Sequence, residues 1–304
     1  MTVRVARLER DALAAASALL GRACPFDRGA TIVAEEKLFG ASPHGPGAAY
    51  GAWEEGRLVG VAVVSARWLR LLAVDSPAHG RGVGTALLAR ATAHARAGGE
   101  RVVRTSDQPG NYLTPGVDAR DHETLAWLER RGFARVGARE SWRVGLAGNP
   151  LVSPERAAAF EADLRTRGYA VRRAAAADAP SLLPWLAAHF TDGWAFEVGR
   201  ALELEPPAVH VAVRETQGAL VAFAAHDGNN RGLGEFGPAG TLPAHRGQGL
   251  GAALLVRSLL DVAAAGHADS VIPWVGPGEH YRRAVGAVPD RRFAVLERAP
   301  VAPG

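Results

Sequence analysis

Apolar and polar positions along this chain follow a strand, helix, hairpin order that is written twice. Val3 to Arg7 is short and β-like, and Glu9 to Gly21, rich in alanine and leucine with Gly21 as a stop, predicts a helix. A second helix is expected from Thr31 to Phe39, closed by Gly40. Ala48 to Trp53, a turn at Glu54 to Arg57 and the apolar run Leu58 to Ser65 predict a hairpin, with Leu69 to Val74 as the next strand. Thr85 to Ala97 then reads as a helix ended by Gly98 and Gly99. Val102 to Thr105 has the character of a buried strand, His122 to Arg131 of a helix, and Arg139 to Leu146 of the strand that completes a first sheet. Between the first two of these lies SDQPGNYLTPGVDARD, residues 106–121, an ordered connection or a lid; loops of this length in compact domains are often functional.

The second pass starts after a Gly-, Asn- and Pro-containing linker, Ala147 to Ser153, which divides the chain into 1–148 and 149–304. A helix from Pro154 to Arg167 is expected, with Ser153 as N-cap and proline at its first position. Helices at about Asp178 to His189 and Glu197 to Leu204 follow, then strands at Ala208 to Arg214 and Ala219 to His226 and a loop at Asp227 to Gly232. Glu235 opens another strand. A strand at Ser270 to Trp274, a short helix at about His280 to Val285 and a strand at Arg292 to Glu297 finish the chain. The expected class is α/β with mixed sheets, used in tandem.

The two passes are most alike at a glycine-rich turn. Residues 241–255 read TLPAHRGQGLGAALL and residues 76–88 read SPAHGRGVGTALL. Gly80, Gly82, Gly84 and Leu87 recur 167 positions later as Gly247, Gly249, Gly251 and Leu254, with Pro77 and Pro243 entering the two turns. Asp11 and Ala12 return at the same offset as Asp178 and Ala179, and Gly56, Leu58 and Val59 return as Gly218, Leu220 and Val221 after a five-residue slip. Spaced glycines let the backbone approach a ligand, and a helix opening behind them aims unpaired N–H groups and a positive dipole end at it. A diphosphate is the natural occupant, and Arg246 adds a cation beside it.

Strand, Pro-x-x, Arg-Gly-x-Gly-x-Gly, helix resembles the acetyl-CoA loop of the GNAT N-acetyltransferase superfamily, whose signature is [Arg/Gln]-x-x-Gly-x-[Gly/Ala]. Arg246, Gly249 and Gly251 fit it; in the first copy Gly82 and Gly84 fit, while His79 stands where Arg or Gln is expected. The resemblance implies two GNAT folds and acetyl-CoA held in the second copy by Gly240, Thr241, Leu242, Arg246, Gly247, Gln248, Gly249, Leu250, Gly251 and Ala252. It places Ala73, Val74, Gly80, Arg81, Gly82, Gly84 and Thr85 around the first loop. It also implies direct acetyl transfer to a primary amine of a small molecule, with an amino-sugar-like acceptor favoured. A mycothiol-synthase-like or protein N-acetyltransferase and a non-catalytic acyl-CoA-binding or interaction module are the alternatives.

Amine acetylation needs a neutral amine, whose pKa is about 10.4 for a lysine-like group, and a proton for the departing thiolate, so a base and an acid are sought. Glu235, eleven positions before Arg246, resembles the general-base glutamate of histone-type GNAT members; a solvated strand end or an arginine partner is the other reading. Trp68 holds that place in the first copy. Tyr281, five before Gly286, resembles the family's acid, against a packing role; the first copy has Leu128 at the four-before position of Gly132-Phe133. These residues favour the second copy for the chemistry, with the first copy either a coenzyme-binding or structural half or, in a reversed assignment, the active one. The spacing from Gly84 to Gly132 is 48 positions and from Gly251 to Gly286 only 35, so the second copy lacks the long loop, and Asn111 to Asp118 is left to shape the first cleft. Trp194, Phe196 and Glu197 fall on the acceptor side, where they line it or pack as core.

Composition narrows the remaining classes. Hydrophobic residues at 48% and charged residues at 22% are ordinary for a globular protein with two cores. No stretch is apolar enough to span a bilayer and the N-terminus shows no signal-peptide core, so a cytoplasmic monomer or homodimer is expected. The pI is about 9.8, but the net charge is only +4, Lys37 is the single lysine among 35 basic residues, and no basic run interleaves with aromatics, which argues against nucleic acid. Cys24 is alone, excluding an internal disulfide, and reads as a small buried hydrophobe. His79, His245 and His280 form no metal-ligand spacing. The glycine pattern is not Gly-x-Gly-x-x-Gly in a first βα turn, no Gly-Lys-[Ser/Thr] exists, and there is no Gly-x-Ser-x-Gly elbow, which sets aside a dinucleotide fold, a P-loop and a serine hydrolase.

Overall fold

In the computed structural model, which describes residues 3–27, 29–276 and 278–299, the chain forms two compact units. One comprises Met1–Arg139 with Arg291–Gly304, the other Glu140–Asp290. They do not divide as 1–148 and 149–304 would. The chain leaves the first unit within a strand, Ala134–Gly145, and its last strand, Val288–Arg298, lies mostly in the first unit. The expected linker is a tied turn of the second unit: Asn149 Nδ2 donates to the Gly145 and Val285 carbonyls.

In the first unit Arg4–Arg7, Ala48–Glu54, Arg57–Ser65 and Trp68–Val74 form an antiparallel ladder, in register at Val5↔Ala52, Ala62↔Tyr50 and Ala62↔Leu72. The run Leu58–Val64 is almost continuously apolar because both of its faces are covered. Ala62 and Val64 pack with Leu87, Leu88, Ala91 and Ala95 of the helix Val83–Ala97, whereas Val61 and Val63 pack with Leu19 and Leu20 of Leu13–Ala23 and Leu38 of Ala34–Phe39. Trp68–Val74 pairs in parallel with Val103–Thr105 only at Trp68↔Arg104 and Leu69↔Thr105. Past that point the two strands part, and the sheet opens beside Leu71–Val74. Val103–Thr105 is closed on its other edge by the chain's final strand, Glu297↔Arg104 and Arg298↔Val103.

The second unit repeats the plan. Tyr169–Arg173, Val209–Arg214, Ala219–His226 and Phe236–Thr241 form a four-stranded antiparallel sheet. Ala222 and Ala224 face the helix Leu250–Ala264, and Phe223 and Ala225 face Ala179–His189 and Asp192–Leu202. Asp269–Ile272 pairs with the second half of Ala134–Gly145, Ile272↔Trp142. The helix Pro154–Thr166 starts as expected, with Ser153 Oγ accepting from Arg156 N at 3.2 Å.

Among the expected elements, two strands start earlier, at Ala134 and Val288, and two helices need correcting. The helix expected from Glu197 spans Asp192–Leu202: the Thr191 hydroxyl accepts from Trp194 N and starts it five residues earlier. The helix expected from Thr31 is Ala34–Phe39, because residues 29–33 are spent in turns.

Candidate functional site

Both glycine turns adopt one geometry. In the first, Trp68–Val74 runs through a short 3-10 turn, Ser76–Ala78, to Gly82 in the left-handed region (φ 83°, ψ −3°), which starts the helix Val83–Ala97. In the second, Phe236–Thr241 runs through Pro243–His245 to Gly249 (φ 85°, ψ 0°) and the helix Leu250–Ala264. Neither helix has a side-chain cap, so its first N–H groups stay available to an anion. A Cβ at Gly80, Gly82, Gly247 or Gly249 would meet nothing within 4 Å, so what favours glycine there is positive φ. The departure of His79 from the signature is local. Its Nε2 lies 2.9 Å from the Val74 carbonyl, and Arg246 Nε donates to the equivalent Thr241 carbonyl at 3.2 Å. Either side chain ties the loop to the strand end.

The other expected coenzyme-side residues fall around these turns. Arg81 pairs with the buried Glu54 at 2.8 Å, Thr85 Oγ1 accepts from Arg131 at 2.8 Å, and Gln248 Oε1 accepts from Arg167 at 3.2 Å. Gly84 lies against Trp127 and Gly251 against His280. Leu250 is buried and Ala252 packs on the second core, while Leu242 N donates to Val221 O. Asp75, just ahead of the first turn, is buried and held by Arg22 and Arg57, whose guanidiniums, Arg22 first, keep its carboxyl below the usual range.

Beyond the first turn lies a large open space. In the first unit a cleft of about 1160 Å³ runs from Gly80–Thr85 past Ala73 and Val74, through the opening in the sheet, to the turn at Ala23–Asp27. Leu113–Asp118 and the helix His122–Glu129 wall its other side, so the long loop does shape this cleft. That loop is fixed from behind. Asn111 Nδ2 donates to the Gly40 and Ala41 carbonyls, its Oδ1 accepts from the buried Lys37 at 3.1 Å, and buried Arg70 donates to Lys37 O at 2.7 Å.

The far end of the cleft is charged. Arg291 NH2 donates to Asp27 Oδ1 at 2.7 Å and its Nε to Asp118 Oδ2 at 2.7 Å, while Arg120 grips both oxygens of Asp118 at 2.9 and 2.7 Å. Burial works against the charge on both carboxylates. At Asp118 the hydrogen bonds from Arg120 and Arg291 override it and hold the carboxyl down at about 2. At Asp27 burial prevails over Arg291, with Asp118 adding repulsion, and the carboxyl is raised. Cys24, next to them, is pushed up to about 12 by burial and the nearby Asp27, which removes it as a nucleophile. None of these residues has a sequence signal. Asp27 and Arg291 are 264 positions apart and meet only because the last strand joins the first unit.

In the second unit the strand end at Gly240 packs against aromatic side chains. A Cβ on Gly240, the counterpart of Ala73, would lie 2.5 Å from the Phe190 ring, and Phe190, Trp185, Trp194 and Phe223 form one aromatic cluster there. Trp194 is thus a packing residue, stacked on Phe190 at 5.4 Å, and Glu197 is buried. Glu235 accepts from Asn230 Nδ2 at 3.0 Å. Tyr281 meets Phe236, the residue after Glu235, edge to face at 6.2 Å, and burial raises its hydroxyl pKa, keeping it protonated. Trp68, in Glu235's place in the first copy, stacks on His44 at 4.5 Å. Among the described residues no group of three or more His, Cys, Asp or Glu side chains is arranged to hold a metal ion, and no helix is long and apolar enough to cross a membrane.

Comparison with known proteins gives one consistent answer. The sequence model of the acetyltransferase (GNAT) family matches residues 17–112 and again 179–287. A tandem GNAT protein from the clavulanic acid biosynthesis pathway superposes with a TM-score of 0.71 at 17% identity, covering 100% of each chain. A GCN5-related N-acetyltransferase from Sphaerobacter thermophilus gives 0.69 at 17% identity, covering 99% of this chain and 96% of that one. A GCN5-related glucosamine N-acetyltransferase region of a fungal multi-domain GH3 β-N-acetylglucosaminidase gives 0.78 at 18% identity; the match covers 97% of this chain but only 38% of that protein. No curated protein matches significantly. At these identities the structural likeness is one of fold.

Proposed function

The chain belongs to the acetyltransferase (GNAT) family as two GNAT folds in tandem, and from that premise we propose that it transfers an acetyl group from acetyl-CoA to a primary amine of a small molecule, using the cleft of the first unit. The observation that carries this is the continuity of that cleft from the glycine turn to the acidic end. Its volume, about 1160 Å³, slightly exceeds the range of about 300–1,000 Å³ usual for small-molecule sites, leaving room for an extended ligand. In this reading the N–H groups at Gly82–Thr85 take the coenzyme's diphosphate. The strand edge at Ala73 and Val74, past its pairing with Val103–Thr105, takes its extended arm, and the amine enters from the Ala23–Asp27 side. The sequence leans to the second copy and leaves the first open; the packing of Phe190 on Gly240 supports the first. The amino-sugar acceptor is supported by the named activity of the fungal region and by no side chain of the cleft.

A second reading keeps turnover in the second unit, with Glu235 as base and Tyr281 as acid, favoured by the approach of Tyr281 to Phe236. The loop Gly247–Gly251 would then hold the coenzyme with Arg246. Incubating the purified protein with acetyl-CoA and small primary amines, with free thiol as the readout, tests the function itself. Thiol release above the amine-free rate supports it. Tight acetyl-CoA binding with no release for any amine would make the chain an acyl-CoA-binding module.

A further inference from the structure

The acidic end of the first cleft shares its charges unequally. Two carboxylates, Asp27 and Asp118, face two guanidiniums, Arg120 and Arg291. Asp118 takes both oxygens' worth of Arg120 and the Nε of Arg291, and it stays ionised down to about pH 2. Asp121, also on the lining, spends Oδ1 on the N–H of Thr124 at the start of its helix. Asp27 receives one nitrogen of Arg291 on Oδ1, in a turn closed by Asp27 N donating to Cys24 O at 3.0 Å. Its side chain keeps 19% of its surface accessible, enough for a ligand to reach Oδ2. A carboxylate that lines a cleft, half-paired and desolvated, binds an ammonium well and has the proton affinity of a working base.

We infer that Asp27 receives the acceptor's ammonium and takes its proton, with Arg291 as the residue that positions it. This rests on the proposal that the first cleft carries out acetyl transfer. Proton transfer to Asp27 Oδ2 leaves a neutral amine, whose lone pair attacks the thioester carbonyl. The new C–N bond forms, the C–S bond breaks, and the sulfur takes the second N–H proton. Asp27 then returns its proton to solvent. The groups around it set its pH behaviour: Arg291 and Arg120 favour the carboxylate, while burial and Asp118 oppose it, and Cys24 stays neutral. Activity therefore falls as pH drops through a value above the ordinary aspartate range.

The test uses the full chain with acetyl-CoA and whichever of phenethylamine, tyramine, putrescine and glucosamine it turns over best. Asp27→Asn is expected to lower kcat/KM by roughly 10²- to 10³-fold, to erase the acid limb of the pH profile, and to leave the acetyl-CoA Kd unchanged. Asp118→Asn removes a like charge and releases Arg291 to Asp27, so it moves the acid limb to lower pH, which a merely structural carboxylate would not do. Kcat/KM within threefold of the parent in Asp27→Asn, with its acid limb intact, overturns the assignment. So does an unmoved limb in Asp118→Asn, a readout that stands even where Asp27→Asn does not fold. Acetyl-CoA binding without turnover of any of these amines instead overturns the function on which the assignment rests.

Discussion

Replacing Gly82 or Gly249 with alanine, one at a time, uses the repeat as its own control. The two glycines share φ and ψ to within a few degrees, 83°/−3° and 85°/0°, and neither would place its new methyl within 4 Å of another atom. The folding cost is therefore the same for both: a Cβ in the left-handed region costs about 1–2 kcal/mol. In a unit of this size each kcal/mol lowers Tm by roughly 2–4 °C, so both variants should melt about 2–8 °C early. Ligand binding should separate them. Gly82 lines the cleft, and in the proposed site a methyl there costs a bound anion at least one charge-assisted N–H bond, worth roughly 1.5–3 kcal/mol, or about ten- to hundredfold in Kd. Calorimetric titration with acetyl-CoA is expected to show that loss for Gly82→Ala at the high-affinity site and not for Gly249→Ala. Equal melting shifts with the affinity loss in Gly249→Ala alone would refute the placement of the site in the first unit.

Three further outcomes follow from neighbouring features. His226 is buried, and desolvation first of all lowers its pKa from 6.5 to about 4. The folded state thus prefers the neutral ring, so its contribution is complete above pH 6.5 and is lost as pH falls toward 4. The total is roughly 3 kcal/mol, and urea titrations of the parent and His226→Gln across that window should show the slope vanish in the variant. Lys37, 2% exposed, bonds to Glu36 at 2.6 Å and Asn111 at 3.1 Å. Lys37→Ala strands the pair and should cost about 3–5 kcal/mol, with faster proteolysis within 106–118; an unchanged melt would show the pair to be idle. Glu235→Gln should change kcat/KM less than threefold, and a hundredfold fall would return the chemistry to the second unit.

The repeat, the glycine turns and most element positions were legible in the sequence because each is a local pattern. Positive-φ glycines, alternating apolar strands and alanine-rich helices announce themselves within a few residues, and the 167-residue offset relates Gly82 to Gly249 without any coordinates. Membership of the family was legible for the same reason. The acidic end of the cleft was not: Asp27, Asp118 and Arg291 are unremarkable where they stand in the chain, and only a strand ending a sheet far from its own repeat brings them together. The inequality of the copies was legible as the long loop of the first, but which copy carries the chemistry was left between the two, because loop length and side-chain type do not fix it. Glu235 and Tyr281 have side-chain types suited to the chemistry, whereas the covering of the strand end at Gly240 depends on how Phe190 packs, which spacing does not reveal.

The final strand also governs how this protein comes to exist. Glu297 and Leu296 bond to Arg104 and Thr105 across separations of 193 and 191 residues, so the earlier-synthesised half waits for the chain's tail before its sheet is whole. Such distant pairings slow folding, because a large loop must close before any contact repays the entropy. Cutting the gene at the apparent seam would yield two incomplete pieces, the front one missing Arg291, and the duplication has thereby become a single inheritable part.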